Sequence, residues 1–174
     1  DYLSSDNDFR FKNDNGTPIN PDDDRTENRN NAQLDQLNLL TRLGLELNPG
    51  SRLDFINNFF SKNQGLPSWN NSEETDTDFS TDQNISTLKW VKNDVSSFHF
   101  NTCTQLDYLY KSEKYDDSKG HIGLGSQKNK YETQRLSAKT FIEYQTDNNA
   151  FQYSLGTQNE TYRSEDLLQQ QTTN

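Results

Sequence analysis

Apolar residues recur at every second position along much of this chain. From Leu37 the odd positions read Leu37, Leu39, Thr41, Leu43, Leu45, Leu47, and the even ones Asn38, Leu40, Arg42, Gly44, Glu46. A period of two sets these on opposite faces of a strand, whereas a helix would need a period near 3.6. "NPGS" at 48–51 supplies turn chemistry, and Leu53, Phe55 and Phe59 resume the alternation beyond it, with Asn57 interrupting the apolar face. The pair reads as a hairpin with one apolar face.

The same pattern continues downstream. Phe98, Phe100, Thr102, Thr104, Leu106, Tyr108 and Tyr110 alternate with His99, Asn101, Cys103, Gln105 and Asp107. Leu136, Ala138, Thr140, Ile142 and Tyr144 alternate with polar residues, as do Phe151, Tyr153 and Leu155, and a further strand is expected around Leu88 and Trp90. The pattern predicts an all-β chain of six antiparallel strands near 33–47, 52–62, 84–92, 97–111, 132–145 and 150–163, each paired with its neighbour in sequence.

Connection lengths point to an environment. "NPGS", "NDVS" (93–96) and "TDNN" (146–149) are tight, whereas about 63–84 and 112–131 are long and rich in Asp, Ser, Asn and Gly. A soluble sandwich has no reason to put every short turn at one end; a transmembrane β-barrel does, with short periplasmic turns and longer extracellular loops. The run Leu37–Leu47 matches the roughly 9–11 tilted residues that cross a bilayer. Trp90, Phe98, Phe100, Tyr144, Phe151 and Tyr153 fall near the short turns, and Phe59, Tyr108 and Tyr110 near the far ends, as two interfacial girdles would.

On this reading Leu39, Leu43, Leu45, Phe100, Leu106, Ile142 and Leu155 face lipid, while Arg42, Asn101, Gln105, Lys139 and Ser154 face a wet lumen. An Arg or Lys on the lipid face at mid-depth would cost about 2–4 kcal/mol. The other reading is a soluble extracellular adhesin or binding module, in which the apolar faces pack on each other.

Composition narrows the choice. A hydrophobic share of 28% lies well below the roughly 45–50% of globular domains, so a conventional two-sided core would be thin. Disorder is countered by 8 Tyr, 10 Phe and 2 Trp. A net charge of −10 leaves no basic stripe for nucleic acid. The one cysteine, Cys103, allows no internal disulfide framework, and no apolar run is long enough to span a bilayer as a helix.

Little in the chain suggests covalent chemistry, and no enzyme activity is expected. Asp22, Asp23 and Asp24 offer the clustered oxygens of a loop calcium site, although EF-hand spacing fails because Phe11 would hold the first ligand position. "GHIGLGS" (120–126) follows no buried strand and opens no helix, so it reads as a loop rather than a phosphate cradle. His99 and His121 stand too far apart for a shared site, and Cys103 has no His or Asn constellation beside it. The charged lumen-side residues Arg42, Glu46, Arg135, Lys139 and Glu143 are the candidates for touching a ligand, or for pairing across strands.

Three stretches carry a resemblance. "SSDNDFRFKNDNGTPINPDDDRTENRNNA", followed by a strand, a short turn and "NNFFSKNQGLP", resembles the early barrel region of TonB-dependent outer-membrane receptors. The later "FQYSLGTQNETYRSEDLL" is similar to that family's pattern of strand, glycine and E-x-Y leading into a loop. Neither a TonB box, a plug domain nor a terminal strand ending in an aromatic residue is found. The resemblance implies a bacterial outer-membrane transporter for a scarce nutrient such as a siderophore or cobalamin. Its implied partners are outer-membrane lipid and lipopolysaccharide, a plug domain, the TonB complex, a small-molecule ligand and a surface lipoprotein, and some relatives carry loop calcium.

Six strands cannot close where a bacterial barrel needs at least eight. The chain is therefore expected to be part of a barrel of about 22 strands. Extracellular loops are expected at 1–31, 63–84 and 112–131, hairpins at 33–62, 84–111 and 132–163, and a further loop at 164–174.

Overall fold

Pro49 and Gly50 turn the chain between two strands of equal length, β4 (Leu34–Asn48) and β5 (Ser51–Gly65). Gly50 sits at φ +79°, the left-handed value that the third residue of a type II turn requires, with proline before it. The computed structural model describes residues 1–17, 19–71, 73–94, 100–146 and 148–168. Beyond this hairpin come β6 (Asp78–Lys92), β7 (Phe100–Asp117), β8 (Gln127–Gln145) and β9 (Ala150–Asp166). Each pairs antiparallel with its predecessor, so β4 to β9 form a meander. All six expected strands are present with the expected neighbours. Phe98 and His99 of the fourth, and parts of the "NDVS" and "TDNN" turns, lie outside the described residues.

Three differences from the expected boundaries share one cause. β6 starts at Asp78 rather than 84, β7 runs on to Asp117, and β8 begins at Gln127 rather than 132. The long connections accordingly shrink to 66–77 and 118–126. In these extensions the apolar face ends, and the lone aromatics Phe79, Tyr115 and Tyr131 stand among polar residues on the opposite face, so the period of two disappears while the backbone ladder continues. Charged side chains support it, as where Lys128 Nζ lies 2.7 Å from Asp116 across the β7–β8 pair.

The segment 1–31, expected as a loop, contains three short strands: β1 (Tyr2–Ser5), β2 (Arg10–Asn13) and β3 (Arg25–Asn28). β1 adds to the far side of β4, with Tyr2 opposite Leu37, and β2 pairs with β3 as a separate two-stranded sheet. Four residues are too few for alternation to reveal. Their order comes from long-range hydrogen bonds such as Ser4 Oγ to Asp35 Oδ1 at 2.7 Å.

The register brings the apolar positions onto one face. From Leu43 the ladder crosses Phe55, Leu88, Leu106 and Ala138; from Leu45 it crosses Leu53, Trp90, Thr104, Thr140 and Leu155. Among the described residues no hydrophobic side chain is buried, and Leu43, Leu45 and Leu155 are 61%, 59% and 76% exposed. Leu39, Leu106 and Ile142 are exposed as well. Phe100 is half-buried because its ring packs 4.9 Å from that of Tyr144. The buried side chains are polar instead: Ser51, Asp54, Ser68, Asn71, Thr75, Thr77, Thr81 and Asp117, of which Ser68, Thr77 and Asp117 are fully enclosed. Arg42, Asn101, Gln105, Lys139 and Ser154 lie on the opposite face of the sheet from the leucines.

One polar interruption of the apolar face satisfies itself. Asn57 Nδ2 donates to Asn84 Oδ1 at 2.6 Å and to Ser86 Oγ at 2.8 Å, joining β5 to β6.

The sheet has two long bare edges among the described residues. β1 covers only Leu34–Leu37 of β4, and β9 has β8 on one side alone. β4 and β9 stand at opposite ends and do not pair with each other.

The first turn offers a check on this geometry. A Cβ at Gly50 would lie 3.2 Å from the Asn93 carbonyl, in a left-handed conformation that alanine adopts poorly. Gly50→Ala is expected to cost about 1 kcal/mol or more, read as a lowered unfolding midpoint in urea.

Candidate functional site

The polar face is threaded by charge. Arg52 donates to Asp54 through Nε and Nη2, the latter at 2.8 Å, and to Glu46 through Nη1 at 3.2 Å. Gly44 makes this possible, since a Cβ there would fall 2.6 Å from Arg52 Nη2. Arg42 reaches the same Asp54 at 4.0 Å. Two strands away, Asp107 accepts from Thr87 Oγ1 at 2.6 Å and from Gln105 Nε2 at 2.9 Å.

All five candidate ligand contacts therefore share one face, yet the ladder spreads them. Arg42 and Glu46 are drawn into the Arg52–Asp54 cluster, and Lys139 Nζ lies 4.6 Å over the Phe141 ring. Arg135 and Glu143 make no side-chain hydrogen bond or ion pair among the described residues, and the five do not converge on a point. Parity sorts residues to a face, but register decides which of them meet.

The opposite end of the sheet from the tight turns is more organised. Asn31 Nδ2 donates to the carbonyls of Leu66 and Thr77 at 2.9 and 2.7 Å, and Gly65 N donates to Gln33 O, so the 66–77 connection is stitched to the strand start of β4. Asn71, with φ +53° and nearly no exposure, clamps the β2–β3 hairpin to that connection. Its Oδ1 accepts from Asn30 N at 2.8 Å, and its Nδ2 donates to Asn28 O at 2.8 Å and Glu27 Oε2 at 3.1 Å. The amides of Asn13 and Asn71, aided by Arg25, outweigh desolvation and hold the Glu27 carboxyl below its ordinary range.

Asp117 organises the neighbouring connection in the same way. It accepts from the backbone N–H groups of His121, Ile122 and Gly123 at 2.7, 3.1 and 2.9 Å, and from Thr77 Oγ1 at 2.8 Å. Burial pushes its carboxyl up, but these donors together hold it below the usual range. Asp76 lies 2.7 Å from Lys119 Nζ, fastening the two connections a second time, with His121 Nδ1 3.4 Å away but not hydrogen-bonded.

Between the β2–β3 hairpin and the 66–77 connection lies an open cleft of about 580 Å³. Asn13, Asn15, Asn28, Asn30, Asn70 and Asn71 line it together with Arg25, Glu27 and Glu73. Trp69, which precedes the lining residue Asn70, is 75% exposed, and Gly16, which follows the lining residue Asn15, sits so close that a Cβ there would lie 3.3 Å from the indole.

The candidate calcium ligands occupy a 3₁₀ turn at Pro21–Asp23 and its cap, Asp24. Asp23 accepts from Thr17 Oγ1 at 2.6 Å, and Asp24 pairs with Lys12. No group of three or more His, Cys, Asp or Glu placed to hold a metal ion occurs among the described residues. Cys103 is half-buried on the polar face, opposite Val91 and Phe141.

No known family matches the chain, and no curated protein matches it significantly. Its function must be read from its own geometry.

Asp117 and Glu27 carry a pH prediction. Because both carboxyls are depressed in the folded protein, their stabilisation is full above the unfolded values of about 4 and is lost as pH falls through the lower folded values. Amide exchange in 118–126 and in the β2–β3 hairpin should be unchanged between pH 7 and about 5 once corrected for intrinsic rates, and should accelerate below about 4. Asp117→Ala, which strands three N–H donors at about 1–3 kcal/mol each if unsolvated, should raise exchange at His121–Gly123 by about tenfold or more at neutral pH.

Proposed function

We propose that this chain is part of an outer-membrane β-barrel of about 22 strands that admits a scarce small-molecule ligand, a receptor of the TonB-dependent class. The apolar face of β4 to β9 lies against lipid, the face bearing Arg42, Asp54, Asp107 and Lys139 lines the lumen, and the stitched connections stand outside the cell. The observation that carries the reading is the inverted burial: Leu39, Leu43, Leu45, Leu106, Ile142, Phe151, Tyr153 and Leu155 bare, no described hydrophobic side chain buried, and polar groups such as Asp54 and Thr81 enclosed. In water such an apolar sheet face would be an aggregation surface; in lipid it is the ordinary solvent-facing side.

Two further features support it. The apolar set drifts along the ladder, being centred near Phe55 in β5 but near Tyr153 in β9, and Tyr153 is level through the register with Ser51. A drift of about one residue per strand, with a rise near 3.3 Å and strands about 4.8 Å apart, corresponds to a tilt of about 35°, inside the range of membrane barrels. The bare edges of β4 and β9 fit the same picture. Unpaired backbone groups in hydrocarbon cost several kcal/mol each, so both strands need neighbours, which a larger barrel supplies. The TonB-dependent assignment rests on the three resembling stretches and on the fit of the barrel to that architecture.

A soluble adhesin would need a second sheet over Leu43, Leu45 and Ile142, and among the described residues none lies there. Adjacent positions on β9 test the two readings. Leu155→Arg should lower stability in lipid by about 2–4 kcal/mol, while Ser154→Arg, one residue along on the lumen face, should change it by no more than about 0.5 kcal/mol. Equal effects, or the reverse order, would remove the membrane assignment.

A further inference from the structure

The amide-lined cleft beside Trp69 is not used by the barrel, and its chemistry selects a class of ligand. We propose that it binds a neutral, polyhydroxylated molecule, an oligosaccharide of a few units. The inference rests on the outer-membrane reading only for the side of the membrane that the cleft faces.

Its volume of about 580 Å³ lies within the roughly 300–1,000 Å³ of small-molecule sites. The frame is rigidly committed: Glu27 is held by Asn13 and Asn71, and Asn71 is spent on Asn28 and Asn30. Against that frame, Arg25, Asn15 and Glu73 line the cleft with no side-chain hydrogen bond or ion pair among the described residues. One group donates only, one accepts only, and one does both. That set matches vicinal hydroxyls, each of which both donates and accepts.

Charge excludes the alternatives. Glu27 and Glu73 oppose a phosphate or carboxylate ligand, as does the net charge of −10. Arg25 opposes a metal cation in the same space, and an apolar ligand would strand the amides. Trp69, outside the lining but joined to it through its neighbour Asn70 and through Gly16 beside Asn15, offers what a sugar additionally requires. A pyranose ring presents a face of polarised C–H groups, which the negative face of an indole attracts and shields from water. At 75% exposure this is a large apolar surface left open, steadied on one side by Gly16, whose missing Cβ admits the ring.

The chain has two tryptophans, so Trp90→Phe leaves Trp69 as the sole indole reporter. The protein is purified in a sugar-free detergent, because glycosidic detergents would compete. It is titrated separately with maltotriose, xylotriose, mannotriose and chitotriose, and with inorganic phosphate, calcium and trialanine. At least one trisaccharide should shift Trp69 emission saturably. Calorimetry should show that affinity fall about tenfold or more in Trp69→Ala and in Arg25→Ala. The inference is overturned if no trisaccharide produces a saturable shift up to about 10 mM, if phosphate, calcium or the peptide saturates the signal instead, or if both variants bind the sugar unchanged. A protein that inserts in lipid but ignores all four sugars fails this inference alone; one that binds a sugar while monodisperse without detergent fails the membrane reading alone.

Discussion

A sheet whose apolar face no described residue covers is the constraint on which the rest of the structure depends. Ordinary domains are held by removing leucine and phenylalanine from water. Here leucines such as Leu43, Leu45 and Leu155 stay bare, and the six long strands are joined by backbone ladders and by polar groups, among whose described carboxylates Asp107 and Asp117 accept the most hydrogen bonds. On the proposed reading another apolar medium replaces the missing core. The proposed bilayer does so, and it also explains why Arg42, Lys139 and the Arg52–Asp54 cluster are confined to the other face.

The two ends of the sheet then take on different work. At one end Pro49 and Gly50 turn tightly, and Phe100, Tyr144 and Phe151 gather into an aromatic patch with neighbouring ring centroids 4.9 and 6.4 Å apart. At the other, the strands outrun the apolar band and carry connections whose order comes from buried hydrogen bonds. Asn31, Asn71, Thr77 and Asp117 bind three separate stretches of chain into one surface. Such a surface can hold the shape of a cleft without an apolar core beneath it.

How far the sequence could be read follows from the same physics. The apolar alternation of β4, β7 and β8 is a local, one-face signal, so those strands and their parity were legible. Strand ends at Asp78, Asp117 and Gln127 were not, because beyond the apolar band single aromatics such as Phe79, Tyr115 and Tyr131 stand among polar residues and set up no alternation. β1, β2 and β3 were hidden for a different reason: each is four residues long and is held by partners far away in sequence. Asn71 and Asp117 look like ordinary loop residues. What distinguishes them is distance in sequence, 41 residues from Asn71 to Asn30 and 40 from Asp117 to Thr77, and no local pattern encodes that. The Asn-rich "WNN" beside the acidic "SEE" was the one visible hint of the cleft.

Spin-label accessibility in lipid vesicles tests the inverted sheet most directly. With Cys103 replaced by alanine, single cysteines are placed in turn along 39–46 of β4 and 151–158 of β9 and labelled. Relaxation is measured with oxygen, which partitions into lipid, and with a neutral nickel chelate, which stays in water. The predicted result is a period of two in both strands, with oxygen maxima at Leu39, Leu43, Leu45, Phe151, Tyr153 and Leu155, and nickel maxima at Arg42, Gly44, Ser154 and Gly156. Labels at Leu43, Leu45 and Leu155 that are inaccessible to both reagents, as beneath a second packed sheet, would contradict it.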